Sequence, residues 1–322
     1  MGHGSGDTTV GECDRMTGST ARSVFAGLLI FGLQLGLFSF PSTARPDIHL
    51  PQADGETLTL SAPAKRIITL APNLAELVFA AGAGHHLQAV VEFSNFPEDV
   101  TLLPRIGDAF RIDVERIIEL EPDLVLAWKS GNPQTALQKL RQLGLTVWEM
   151  EITRPAGIAD AVENISIAAG TQSQGLPVAS LLRKKLTRLQ QQNSNKTAVE
   201  YFFQISARPL YTINGEHIIS QGLALCGGEN IFADLPILAP QVSRESVILA
   251  NPRAMIATTV QGEPPSLEVW NDWPRLQAVQ NESMLYLPAD EISQATPRLL
   301  DSVELACKLL DEVRNTTQLV GK

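Results

Sequence analysis

A stretch of thirteen residues occurs twice in this chain, 130 positions apart. The first copy is Glu115-Arg-Ile-Ile-Glu-Leu-Glu-Pro-Asp-Leu-Val-Leu-Ala127, and the second is Glu245-Ser-Val-Ile-Leu-Ala-Asn-Pro-Arg-Ala-Met-Ile-Ala257. Aligned without a gap they share Glu115/Glu245, Ile118/Ile248, Pro122/Pro252 and Ala127/Ala257. Each copy reads as a short helix, a proline that forbids its continuation, and a buried strand of apolar residues. Two copies of one helix–proline–strand unit predict two similar α/β lobes, and two lobes predict a cleft between them. One glutamate opens the helix of each copy. A carboxylate there is favoured by the helix dipole, so a plain helix-start role and a shared contact across both lobes are both open.

The 322 residues suffice for two domains. A 44% hydrophobic chain with 19% charged residues suits a globular fold with a large core. A net charge of −10, with no Lys/Arg run, argues against nucleic-acid binding. Near the N-terminus, Val24 to Phe40 is an apolar run preceded by Arg22 and followed by Pro41-Ser-Thr-Ala44, with small residues ahead of a cut after Ala44. This predicts a cleaved secretory signal over 1–44. A membrane anchor is the competing reading, opposed by the shortness of the run and by Gln34. Met16 is an alternative start that would give the signal an ordinary basic n-region. Of three cysteines, Cys13 leaves with the signal, so Cys226 and Cys307 remain in an oxidising compartment, where a disulfide is expected over two free thiols.

Residues 45–64 read as a polar leader with a hairpin edge near Asp54-Gly55. Strands are expected at Ile67–Leu70, Ala89–Val91, Leu124–Trp128 and Thr146–Met150. Helices between and after them are expected at Leu74–Ala81, capped by Asn73, at Thr135–Leu143 and at Gly157–Ala169. Strand–helix alternation with short loops predicts a parallel sheet. A break at Gln172–Gly175 precedes a helix over Pro177–Gln192, the expected connector between an N-terminal lobe (65–170) and a C-terminal lobe (198–322), within a linking segment 171–197. The second lobe should run through a strand Val199–Gln204, a helix His217–Leu225, a strand Ala254–Thr258, a helix near Leu276, a strand Met284–Leu287, a loop 288–296 and a closing helix Pro297–Asn315.

Three stretches, Leu126-Ala-Trp-Lys-Ser-Gly-Asn132, Cys226-Gly-Gly-Glu-Asn-Ile-Phe232 and Pro240-Gln-Val-Ser-Arg-Glu245, together with Arg66–Asn73, carry a family likeness. The chain resembles the periplasmic cobalamin (vitamin B12)-binding proteins of ABC importers, in the helical-backbone class of periplasmic binding proteins, across nearly all of residues 64–316. The resemblance implies a non-enzymatic receptor in which two parallel-sheet lobes, joined by one long helix, clamp cobalamin as cargo. It implies a monomer that docks on a permease dimer at the inner membrane through Glu115 and Glu245, and it matches Cys226 and Cys307 to the family's disulfide. The ligand positions it implies are Pro72, Asn73, Phe93, Phe110, Trp128, Tyr211 and the loop Asp290, Glu291, Ile292, Ser293, Gln294. Departures occur: Phe93 replaces a tyrosine, Ala109 and Ala239 stand at tryptophan positions, with Phe110 beside the first, and Gln294 replaces an arginine.

A corrinoid is a flat macrocycle with amide arms and needs aromatic walls with a few polar groups. Phe93 and Tyr211, in loops near proline and glycine, suit such a wall; Trp128 fits cleft or core equally well. Haem or siderophore capture in the same fold is the alternative, with Tyr211 or His217 available as an axial ligand to haem. A chelatase-like enzyme using His85 or His86 is the other class. It is opposed by the signal segment and by the lack of a phosphate loop, a Gly-x-Ser-x-Gly elbow or zinc-spaced Cys/His residues.

Overall fold

The computed structural model describes Met1, residues 47–260 and residues 266–320, the side chains of 317–320 excepted. Apart from Met1, the segment expected to be a signal lies outside the described residues. Among those described, no helix is long and apolar enough to cross a membrane.

The leader folds into a hairpin, as its Asp-Gly pair suggests. Strand β1 (Ile48–Pro51) pairs antiparallel with β2 (Thr57–Leu60). Gly55 turns the chain at φ 89°, and the Asp54 carboxylate accepts from the Glu56 N–H. The hairpin is anchored: Leu50 is fully buried, and the Trp148 indole donates to the Pro51 carbonyl at 2.9 Å.

The first lobe then alternates. Strand β3 (Ile67–Thr69) leads to α1 (Pro72–Ala80), β4 (Leu87–Ala89), α2 (Val114–Glu119), β5 (Leu124–Trp128), α3 (Gln134–Gln142), β6 (Val147–Met150) and α4 (Pro155–Ala169). The four strands form one parallel sheet in the order β4-β3-β5-β6. Pro72, not Asn73, opens α1. Proline is preorganised for a first helical position, and no side chain caps this end.

Helix α5 (Gln172–Asn193) follows as one continuous element. The expected break at 172–175 does not occur. The reversal happens earlier, at Gly170 in left-handed geometry (φ 70°), and the Thr171 hydroxyl donates to the Ala81 carbonyl at 2.7 Å. Gly175 lies so close to α4 that a Cβ there would collide with the Ser166 side chain. Pro177 is accommodated in the second turn, where its missing N–H removes one bond of the ladder. At 22 residues, α5 spans about 33 Å.

The second lobe repeats the first. Strand β7 (Val199–Gln204) and a small ribbon of β8 (Ser206–Ala207) and β9 (Leu210–Tyr211) precede α6 (Ile218–Ala224), β10 (Gly228–Asn230), α7 (Arg244–Ala250), β11 (Ala254–Thr259), α8 (Gln277–Gln280), β12 (Met284–Pro288), α9 (Ala289–Ile292) and α10 (Pro297–Val320). Its parallel sheet runs β10-β7-β11-β12, the topology of the first sheet strand for strand. The thirteen-residue repeat occupies the same place in each: α2–β5 and α7–β11. Its likeness extends beyond the shared letters. Asp113 and Ser243 cap the two helices, accepting from the N–H three residues on. Glu121 and Asn251, again 130 apart, both adopt left-handed geometry (φ 44° and 48°) before the shared proline. Ile117 and Val247 are the buried residue of each helix. Some elements differ from expectation: β4 covers Leu87–Ala89 where Ala89–Val91 was expected, and the β8–β9 ribbon was not foreseen. Residues 289–292 form a short helix rather than loop, and β10 is a strand that the polar Gly-Glu-Asn sequence did not signal.

The two sheets share a foundation. One hydrophobic cluster runs from Leu74 and Ile158 through Ala179 and Leu189 to Tyr201, Leu299 and Val303, and two smaller ones, around Val125 and around Trp270, cover the outer faces. Helix α5 is pinned on both sides by charge. Arg183 pairs with Asp160 (2.8 Å) and Glu163 (2.6 Å) on α4, and Lys185 and Arg188 each reach Glu304 on α10 at 3.0 Å. A spine packed this way resists bending. The expected Cys226–Cys307 disulfide is formed between the end of α6 and α10, with Cα atoms 4.8 Å apart.

Candidate functional site

In parallel α/β sheets, the loops at the carboxyl ends of strands gather where the strand order reverses. Both sheets obey this rule, and their loop ends line a common cleft of about 440 Å³. The first lobe contributes Pro72 and Asn73 after β3, Trp128 and Ser130 after β5, and Glu151 to Thr153 after β6. The second contributes Glu216, His217 and Ile218 at the start of α6, Leu238, and Ser293 to Ala295 after α9. A neighbouring cavity of about 310 Å³ shares Pro72 and Gln294 and adds Glu76, Phe93, Asn95, Phe96, Asp290 and Arg298.

The loops around the cleft are held by polar side chains, one of them buried. Asn132 is nearly buried; its side-chain oxygen accepts from the Trp128 N–H (2.7 Å), and its amide donates to the Leu70 (2.8 Å) and Ala109 (3.0 Å) carbonyls. One residue thereby fixes the ends of β3 and β5 and the loop preceding Phe110. The Glu151 carboxylate accepts from the Ser130 N–H and hydroxyl at 2.9 and 3.0 Å.

Phe93 is 76% exposed and sits at φ 65°, a region bulky residues avoid. The loop is held there from behind: Arg105 donates to the Val91 and Ser94 carbonyls. Strain that keeps an aromatic ring in the open is the kind found at ligand clamps. Beside it, Phe96 stacks under the Arg298 guanidinium, 4.1 Å from ring centroid to charge.

Arg298 on α10 also makes a forked ion pair with Glu76 on α1, with contacts of 2.9, 3.1 and 3.2 Å. Glu76 is 96% buried, so this is a cross-lobe pair in a largely dry site. Burial by itself would lower the Arg298 pKa. The hydrogen bonds and charge of Glu76, with Asp290 and Glu291 beyond, outweigh it and hold the pKa above its ordinary value. Glu76 is thus one half of a buried ion pair that ties α1 to α10. The available signal was a lone carboxylate among the apolar residues of Leu74–Val78, which demands a partner.

Of the ligand positions expected from sequence, the two cavities bring together Pro72, Asn73, Phe93, Trp128, Asp290, Ser293 and Gln294. Four others lie elsewhere. Phe110 is 76% exposed on a turn closed by Asp108, whose carboxylate accepts from the Phe110 and Arg111 N–H groups and has its pKa lowered by them. Tyr211 is half-buried in the β8–β9 ribbon and bridges to Gln241. Glu291 is half-buried and lines neither cavity. Ile292 must be corrected: the turn of α9 carries its side chain into the core, where it is fully buried. Sequence reasoning missed Glu151, Glu216 and Leu238, which no motif marks, and Arg298.

His85 and His86 lie in a turn before β4. His86 touches the Lys65 ammonium at 3.2 Å, and burial, then His85 and Lys65, lower its pKa. Among the described residues, no group of three His, Cys, Asp or Glu side chains could hold a metal ion.

Glu115 and Glu245 are both exposed, at the second residue of α2 and α7. The Glu245 carboxyl is held below its usual pKa by its own N–H and by the Ser243 hydroxyl.

Two lobes of one topology, a cleft lined from both and a helical spine beneath define a clamp that receives a solute. The chain belongs to the periplasmic binding protein family, whose sequence profile matches residues 67–291. The Vitamin B12-binding protein of Vibrio cholerae serotype O1 is 39% identical to it over 249 residues, covering 77% of this chain and 90% of that protein. That of Vibrio parahaemolyticus serotype O3:K6 is 33% identical over 268 residues, covering 83% and 97%. The crystal structure of the periplasmic vitamin B12 binding protein BtuF of Vibrio cholerae superposes with a TM-score of 0.71 at 38% identity, covering 78% of this chain and 98% of that one. The periplasmic heme-binding protein HutB of Vibrio cholerae shares the fold, with a TM-score of 0.67 at 21% identity and coverage of 76% and 98%. Each of these relatives is named as a binding protein.

Proposed function

We propose that this protein captures cobalamin between its lobes in the periplasm and delivers it to the permease of an ABC importer, without catalysing a reaction. The observation that carries the reading is the 39% identity extending over 90% of a vitamin B12-binding protein. The cleft supports it. Its walls combine the aromatic Trp128 and the apolar Ile152, Ile218 and Leu238 with polar groups suited to amide arms. Haem-binding proteins share the fold at 21% identity, which speaks for architecture alone.

In this reading the N-terminal lobe (65–170) and the C-terminal lobe (198–322) close on the corrin, with residues 171–197 as the spine. Pro72, Asn73, Phe93, Trp128, Asp290, Ser293 and Gln294 face the ligand. Phe110, Tyr211 and Glu291 reach it only if the lobes or loops shift on binding. Glu115 and Glu245, equivalent by the repeat and both exposed, dock on a permease dimer that offers each a basic pocket. The free protein is a monomer.

Calorimetry of the mature protein with cyanocobalamin tests this. Sub-micromolar binding, stronger than roughly −8 kcal/mol, is expected. No heat at micromolar concentrations, together with a Soret shift on adding hemin, would replace cobalamin by haem as the cargo.

A further inference from the structure

The wall that the second lobe presents to the cleft includes His217, and one of its two ring nitrogens is already committed. Nδ1 accepts a hydrogen bond from the Ile219 N–H at 3.2 Å, so the imidazole itself caps α6. A ring nitrogen that accepts carries no proton, and in the neutral ring the proton then resides on Nε2. Burial favours that neutral form by lowering the His217 pKa. Protonation of Nδ1 would set two N–H donors against each other and release the cap.

The neighbourhood holds the ring in place. The Asn214 carboxamide oxygen accepts from the Glu216 N–H at 3.0 Å and from the His217 N–H at 3.1 Å, fixing the approach to α6. One turn along, Gln221 donates to the Thr153 carbonyl of the first lobe at 3.2 Å. The same cavity is lined by the carboxylates of Glu151 and Glu216. A neutral carboxamide arm finds there both a donor, the imidazole N–H, and carboxylate acceptors. A carboxylate arm would meet two like charges.

We infer that His217 is a specificity-determining residue of the cleft: its Nε2–H donates a hydrogen bond to a carboxamide carbonyl of the bound macrocycle, and the ring does not coordinate the macrocycle's metal. The inference rests on the cobalamin reading given above. It explains how a histidine can stand in this cleft without converting the site to axial ligation, since the lone pair such ligation would need at Nε2 is replaced by a proton.

The test compares wild type with His217→Ser, which keeps a capping side chain and removes the ring donor, and His217→Asn, which caps through its oxygen and retains an N–H donor. Cyanocobalamin affinity by calorimetry should weaken about three- to tenfold in His217→Ser, the worth of one net hydrogen bond, and recover in part in His217→Asn. Should the serine variant unfold, His217→Asp, a cap without a donor, takes its place. Visible spectra of bound aquocobalamin should be alike in wild type and His217→Ser. Equal cyanocobalamin affinity in the two proteins would overturn the inference and leave the cobalamin reading intact. A band shift of aquocobalamin in wild type that vanishes in His217→Ser would overturn it too, by making the ring an axial ligand. Failure of wild type to bind cyanocobalamin would remove the cargo assignment and the inference together.

Discussion

Replacing Arg298 by methionine should destabilise the protein far more than an ordinary surface change. Arg298 sits on α10, and Glu76, its partner, on α1 of the other lobe. The Glu76 side chain is 5% exposed and that of Arg298 18% exposed, so water screens the pair weakly. In Arg298→Met the carboxylate is left buried without a counter-charge. Breaking a buried pair from one side costs about 3–5 kcal/mol, against about 0–1 for a pair in solvent. The stacked contact with Phe96 is lost as well, adding about 0.5–2 kcal/mol. A total of about 3.5–7 kcal/mol is a large share of the roughly 5–15 kcal/mol that holds a typical fold. Arg298→Lys keeps the charge but loses the fork, and should fall between. The double change Glu76→Leu/Arg298→Met removes both charges and should recover most of the loss, because desolvating two ions is itself costly. Urea unfolding monitored by circular dichroism reads wild type, these three variants and Glu76→Gln. If Arg298→Met and Glu76→Gln each cost under about 1 kcal/mol, the pair is behaving as a solvent-exposed one and the reasoning fails.

Removing the disulfide by Cys226→Ala/Cys307→Ala should cost about 2–4 kcal/mol, since 81 positions separate the cysteines; an unchanged urea midpoint would contradict this. Glu115→Arg or Glu245→Arg should abolish cobalamin uptake by cells while cobalamin affinity in solution stays unchanged; proportional loss of both would make the glutamates part of the cleft or of the fold. His86 and His217 have pKa values lowered, chiefly by burial, below the ordinary 6.5. The unfolded chain therefore binds more protons as pH drops below 6.5, and stability should fall on acidification toward about pH 5, above the carboxylate range. The urea midpoint should drop over that window, and less so in His217→Ser; a midpoint that rises would refute the sign.

The sequence by itself determined the architecture, because the relevant signals are local. Pro122 and Pro252 keep the helix before each of them from running on, and the apolar runs Leu124–Trp128 and Val199–Gln204 have the length and composition of buried parallel strands. The 130-residue offset carried the lobe equivalence, and it reached further than its letters, to the matched caps Asp113/Ser243 and the matched left-handed turns at Glu121 and Asn251. The cysteine count and the family likeness together foretold the disulfide. Boundaries set by competition between local and long-range terms were not legible. The α5 start depends on Gly175 fitting against Ser166, a contact no window of sequence contains, and β10 is a strand only because β7 is there to pair with it. The cleft was legible as a set of loops but not as a surface. Which side of α9 faces the core is a matter of packing, and it turned Ile292 inward while leaving Ser293 and Gln294 at the wall. Glu76 and Arg298 are 222 residues apart, and His217 gains its single donor only through the Ile219 amide it caps. Patterns along the chain record what a residue prefers. What a charge or a ring nitrogen does is fixed by the partner that folding brings to it, and by how little water remains between them.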